Sequence, residues 1–365
     1  MDVVFTPEGF TRRHIPRVRT HSTGGDINSL VLQINHEESD RYIAEEAARL
    51  RYWAGHPTFL AEISCSDGRV NLPGITRTPA GLMKPFRVIG GKFQVWWPAF
   101  MERMRDWVDA AIRAGARCCV LVTYHYSAGN RDLGCAGWEC SMAAARVHAE
   151  ELRQRLTFVF GEQMTVVVAG IDTDCDELVF HGPRHDVRGR ELIGRSKEGI
   201  RSAVLEAFPD IDQKVVTDLI PFMHGNAEQV AHLHEHPRDL KALEHNERVI
   251  AIGHGFSWLT RANFAIIIHD VDPNLGDAIA TALRIIEQNL ASAPVGDDAT
   301  LFASVPYTKP GIDYRMAVES ARGLLAFAKR CAEERAPKLF ASGRLHALVG
   351  VTWDESKRLE VIEAR

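Results

Sequence analysis

Apolar runs of strand length recur along this 365-residue chain, and most are followed by a stretch whose apolar residues repeat with helical spacing. The clearest are TFLAEIS (58–64), FRVIGGK (86–92), RCCVLVTYH (117–125) and MTVVVAGI (164–171). Short runs rich in Val, Ile and Leu suit strands buried on both faces, and their alternation with helices favours a mainly parallel sheet covered by helices. Helices are expected over 42–53, over 98–114, where Pro98 takes the first-turn position that tolerates a missing N–H, and over 141–160.

The second half echoes the first. NERVIAIGHGFSW (246–258) stands in the place of FLAEISCSDGR, and FAIIIHDVD (264–272) in that of FRVIGGK. DATLFASVPYTKP, the helix expected over 313–331 and RLHALVGVTWDESKRLEVI run parallel to GARCCVLVTYHYS, the helix after Cys140 and MTVVVAGIDTDCDELVFH. Two copies of one α/β unit are therefore expected. The division reads as an N-terminal arm (1–39), a first domain (40–182), a His- and Arg-containing linker (183–245) and a second domain (246–365). Arg12, Arg13, His14, Arg17, Arg19 and His21 give the arm the look of a solvated tail.

A formal net charge of -5 offers no electrostatic basis for nucleic-acid binding, which leans on clustered Lys and Arg. There is no apolar run long enough to span a membrane and no secretory leader, so a cytoplasmic enzyme acting on a small molecule is expected. Seven scattered cysteines, an odd number, do not make a disulfide framework and leave thiols for metal.

A catalytic zinc needs three protein donors and one open position. Cys65, His125 and Cys135 supply that set, the first two at strand ends and the third in the loop SAGNRDLGC. Asp67 is placed to accept a hydrogen bond from water or hydroxide on the metal, and Arg69 to hold Asp67 ionised. Cys140, at a helix start, competes with Cys135 for the third position, whereas Cys118 and Cys119 read as core. Paired Cys-x-x-Cys ligands, the mark of a structural zinc, are absent, and CSDGR has three residues between Cys and Arg where a phosphatase loop has five. The polar surroundings of His224, His232, His234, His236 and His245 read as solvated helix or loop, and the acidic IDTDCDE as a strand-end turn. Only the first copy can bind the metal: Cys65 has Gly253 or His254 opposite it, His125 falls near Pro306 or Tyr307, and nothing stands for Cys135.

CSDGR, RVIGGK and a strand ending in His125 about sixty residues after Cys65 together resemble the Cys-x-Asp-x-Arg, Arg-x-x-Gly-Gly and His/Cys elements of β-class carbonic anhydrases, over roughly residues 40–182. The resemblance implies that Cys65, His125 and Cys135 bind Zn2+, that Asp67 and Arg69 serve catalysis, and that the reaction is reversible hydration of CO2 to bicarbonate by hydroxide on zinc. Hydrolysis of COS or CS2 on the same site, or a non-catalytic assembly role, are the alternatives. Nine residues separate His125 from Cys135, where most members have two. That gap, the GCAG motif and the degenerate second copy look most like the carboxysome shell branch, which implies an internal pseudo-dimer pairing again as a homodimer. Carboxysome residence, with a shell or Rubisco partner, stands open beside the cytoplasmic reading, because the long N-terminal extension of the shell enzymes is not seen.

Overall fold

A computed structural model describes residues 26–259, 261–294 and 296–364, together with the backbone of two short antiparallel strands, β1 (Phe5–Thr6) and β2 (Gly9–Phe10). Of residues 240 and 241 only the backbone is described. The other arm residues before position 26 lie outside the described residues. The elements of the first half are α1 (Ile27–Ala44), α2 (Glu46–Gly55), β3 (Thr58–Cys65), α3 (Leu72–Ile75), β4 (Met83–Val88), α4 (Pro98–Arg113), β5 (Arg117–Tyr126), α5 (Met142–Phe160), β6 (Thr165–Asp172), β7 (Glu177–His181) and β8 (Asp186–Arg188). There follow α6 (Lys197–Ala207), α7 (Gln213–Glu235), α8 (Leu240–Leu243), β9 (Val249–Ile252), β10 (Ala265–Ile268), α9 (Leu275–Ser292), β11 (Ala299–Tyr307), α10 (Ile312–Arg335), α11 (Pro337–Ala341), β12 (Leu345–Trp353) and β13 (Arg358–Ala364).

Two mixed sheets flanked by helices result. The first has the order β4-β3-β5-β6-β7-β8 and the second β10-β9-β11-β12-β13. In each, the first four strands are parallel and the next is antiparallel, so the orders and directions match strand for strand until β8 extends the first sheet. The expected mainly parallel sheets are thus parallel at their centres, with an antiparallel edge where a four-residue turn folds the chain back on itself after Asp172 and after Trp353. That chain reversal follows directly from the turn at IDTDCDE.

Each sheet buries both faces. Phe100, Met104, Val108, Ala145, Ala149 and Leu152 of α4 and α5 cover one face of the first sheet, and Ile200, Val204, Val215, Leu219 and Phe222 of α6 and α7 cover the other. Segment 183–245, expected as a linker, is in this respect a packing layer, since its apolar residues recur at helical spacing. Cys118 and Cys119 lie in opposite faces of β5 as core, and burial pushes their thiols up, to about 11 and about 12. On the second sheet α9 and α10 take one face and α1 the other.

Residues 26–39, expected within the loose arm, differ from that expectation. Asp26 caps α1 through Asn28 N–H, and Ile27, Val31 and Ile34 pack on Val249, Ala251, Ile267, Phe302 and Leu348. Asn28, Asn35, Glu38 and Ser39 share the buried face of α1 with these apolar residues while Leu32 lies exposed, which obscures the stripe in the sequence.

The two sheets meet along β4 and β10. Ile267 N–H donates to Ser66 O (3.1 Å), His269 N–H to Arg87 O (2.9 Å), and Asn263 N–H to Gly68 O (2.6 Å). Residues 40–182 expressed alone are expected to aggregate, because loss of α6 and α7 uncovers Leu121, Val167, Ala169, Leu178 and Phe180. Size-exclusion chromatography checks this; a soluble monomer would show the remaining chain to be dispensable.

Candidate metal centre

Three elements bring the donor atoms together. Cys65 ends β3, His125 lies near the end of the neighbouring β5, and Cys135 opens a turn that leads toward α5. The two Sγ atoms are 3.7 Å apart, and one donor atom from each of the three residues lies within 4.8 Å of the others. All three residues are buried. Among the described residues, neither ring nitrogen of His125 has a hydrogen-bond partner; Asp67 Oδ2, 3.6 Å from Nε2, is beyond hydrogen-bonding distance. A buried imidazole with both nitrogens unsatisfied is costly, and a cation held between it and two sulfurs removes that cost. The donor set therefore fits a metal ion, and its softness suits one that accepts thiolate and imidazole.

Glycine geometry makes the convergence work. Gly90 has φ 69°, in the left-handed region, and its N–H donates to Cys65 Sγ (3.2 Å). Trp138 Nε1–H in turn donates to Gly90 O (2.8 Å). Gly137, two residues after Cys135, packs so closely that a Cβ there would stand 2.7 Å from Gly90 Cα. Backbone on backbone, these glycines seat the Cys135 turn against Cys65. Cys140, the competing candidate, points away and donates to Asp132 O.

Beside the donors lies a closed polar network. Arg69 grips Asp67 with Nε on Oδ1 (3.0 Å) and one terminal nitrogen on Oδ2 (2.6 Å), while Arg69 N–H also donates to Oδ1. The guanidinium continues to Leu243 O (3.1 Å) and His245 Nε2 (3.0 Å). His245 Nδ1 meets Glu247 Oε2 at 3.0 Å, and Gly68 N–H donates to Glu247 Oε1 at 3.0 Å. Arg87 clamps the same loop from below through the carbonyls of Cys65, Asp67 and Val70. Asp67, His245 and Glu247 also lie close enough together to suggest a second metal group, but Arg69 already lies against the first two and Gly68 N–H against the third, which makes a hydrogen-bond network the better description.

Electrostatics follow from this packing. Burial opposes ionisation of Asp67, but Arg69, His245 and His125 outweigh it and hold the carboxyl well below the usual range. The thiols behave as a pair: the hydrogen bond between them holds Cys65 well below an ordinary thiol and raises Cys135. Burial also resists charge on His245, yet Asp67 and Glu247 raise its pKa above the ordinary value. A protonated Nε2 cannot accept from Arg69, and Asp67 Oδ2 lies 3.7 Å away, within ion-pair distance.

All five residues singled out by sequence converge here, Cys65, His125 and Cys135 as a donor set and Asp67 with Arg69 beside it. His245 is a correction: set aside with the other histidines as solvated, it is largely buried against Arg69 and Glu247. Glu247 and Arg87 were not singled out. Arg87 stood inside the quoted RVIGGK, but its reach to three carbonyls has no sequence signal, and Glu247 is joined to Gly68 only by folding.

Residues 58–195 match the family model of the carboxysome shell carbonic anhydrase catalytic domain. That segment includes all five residues and excludes His245 and Glu247. No curated protein matches the chain.

Gly137→Ala is expected to push the Cys135 turn off Gly90 and weaken metal binding about 10- to 100-fold, the range for changes behind a ligand; competition with a chromogenic chelator measures it. A second outcome concerns pH. Because the folded value of His245 is raised, its stabilising contribution is full below the unfolded value of about 6.5 and is lost as pH climbs through the folded value. The stability difference between wild type and His245→Gln in urea should therefore shrink as pH rises from about 6 to about 9.

Proposed function

We propose that the first half is a β-class carbonic anhydrase that hydrates CO2 reversibly to bicarbonate, with the second half a degenerate copy that completes its walls. One observation carries the reading: a buried imidazole with two orphaned nitrogens faces two thiols beside an arginine-locked aspartate, within a segment that matches a carbonic anhydrase catalytic domain. Cys65, His125 and Cys135 would hold zinc and leave its fourth position open. When bound, zinc lowers the pKa of a coordinated water toward about 7 and so supplies a nucleophile at neutral pH.

The chain's own residues do the rest. Cys65 and Cys135 bind as thiolates only after losing their thiol protons, so that metal binding and proton release are linked. Asp67, ionised and fixed by two bonds from Arg69, accepts the hydrogen of the attacking oxygen and turns its lone pair toward the carbon of CO2. Arg69 prevents Asp67 from swinging onto the metal, and Glu247 and His245 prevent Arg69 from leaving. Arg87 keeps the loop that carries both fixed to the end of β3. The matching strand orders support descent of both halves from one unit, and Cys331, in α10, is the only cysteine after residue 182. The family match supports association with a carboxysome shell, and a two-fold pairing of whole chains is the assembly we propose. Among the described residues, no helix is long and apolar enough to cross a membrane.

Wild-type protein is expected to carry about one zinc per chain and to hydrate CO2 in stopped-flow assays, and Cys65→Ala to lose both. Purified wild type without zinc would overturn the assignment. Arg69→Ala should free Asp67 and lower kcat about 10²-fold at neutral pH while zinc is retained; parallel assays with COS and CS2 identify the preferred substrate.

A further inference from the structure

A cleft of about 250 Å³ opens between the halves. Residues of β3 and β4 line it on one side, and the carboxyl ends of β9, β11 and β12 on the other. In the second sheet this is the place that Cys65 and His125 occupy in the first. Its walls carry Glu62, Lys84, Arg87, His254, Asp354 and Lys357.

All but two of these are engaged. Lys357 Nζ donates to Asp354 (2.6 Å), and Arg87 bonds to backbone carbonyls. His254 lies on Asp270, and burial, against that carboxylate, pulls its pKa to about 4, so it is neutral. Glu62 is buried with Oε2 unpartnered, and burial pushes its pKa up to about 7. Lys84 stands open to water and makes no hydrogen bond or ion pair among the described residues. Although accessible, it is crowded by the cleft walls: desolvation lowers its pKa first, Lys357 and Arg103 add to the effect, and only Asp354 opposes. This is an amine with an enlarged neutral population, among cations, with no counter-ion of its own.

We propose that Lys84 Nζ is a reversible carbamylation site for CO2. The lone pair of the neutral amine adds to the carbon of CO2, an N–C bond forms, one C=O π pair moves onto oxygen, and an N–H proton leaves to water in the cleft. The product carries a negative charge where the ammonium carried a positive one. Repulsion from Lys357 and Arg103 thereby becomes attraction. Lys84 lies on β4 three residues before Arg87, which clamps the metal-site loop, so the charge reversal falls on a strand that supports the site.

The inference rests on the proposed function only in that the protein meets CO2, and its test does not measure turnover. The full chain is equilibrated with CO2 and bicarbonate at constant pH, trapped with triethyloxonium, digested and mapped by mass spectrometry. An ethyl carbamate mark on Lys84 is expected, rising with CO2 and several-fold above the exposed Lys197, Lys214 and Lys338. It should persist in Cys65→Ala protein, which separates it from hydration. In 13CO2-equilibrated wild type a carbamate carbonyl resonance is expected, and Lys84→Arg, which keeps the positive charge, should lack it. A Lys84 mark that is absent, or no stronger than at the exposed lysines, would overturn the proposal.

Discussion

An aspartate and an arginine buried side by side are tolerable only when every remaining donor and acceptor is met, because desolvation of two charges can exceed their attraction. Asp67 and Arg69 satisfy that condition with groups from elsewhere in the chain: Leu243 O and His245 take the outer edge of the guanidinium, and Glu247 takes the Gly68 N–H between the two. The loop that begins at Cys65 therefore reaches its geometry only when the segment leading into the second sheet has closed on it. The contacts that seat this segment on the loop are thus also the ones that hold the residues beside the donor set.

The seam extends this dependence to the backbone. Ser66, Gly68 and Arg87 of the first half each offer a carbonyl to an N–H of the second, and Arg87 N–H meets His269 Nδ1 at 3.2 Å. A half that carries no thiol at its strand ends thus still fixes the one that does. The costly groups of the first sheet, among them the His125 nitrogens, sit between apolar layers on both of its faces, and Ile250, Ile252, Ile266 and Ile268 under α9 add a further apolar layer in the second.

Much of this arrangement was readable in the residues. The strand–helix alternation located β3 to β6 and α4 and α5 to within a few residues because the runs are short, largely apolar and separated by stretches of helical periodicity. Cys-x-Asp-x-Arg was readable because a pair two residues apart makes its contact locally, as Arg69 N–H to Asp67 shows. What escaped notice acts across long stretches of chain. Glu247 lies 179 residues from Gly68, and nothing in ERVIAI marks it as more than a strand entry. In α1 the buried positions are diluted by Asn28, Asn35, Glu38 and Ser39, and only the sheet beneath shows which face matters. The antiparallel β7 and β13 follow from turns whose length, not composition, decides direction.

Gly68 and Glu247 illustrate what it means for both sides of a seam to be encoded once. A Cβ on Gly68 would stand 2.8 Å from Glu247 Cγ and 2.9 Å from Ala265 O, so this loop position and its opposing carboxylate constrain each other. In a two-fold dimer of identical chains every such substitution appears twice, and each surface must complement its own copy. Here the two surfaces differ in sequence. Mutations on one side can be answered on the other without disturbing a symmetric counterpart, which frees a seam of this kind to drift toward asymmetry one residue at a time.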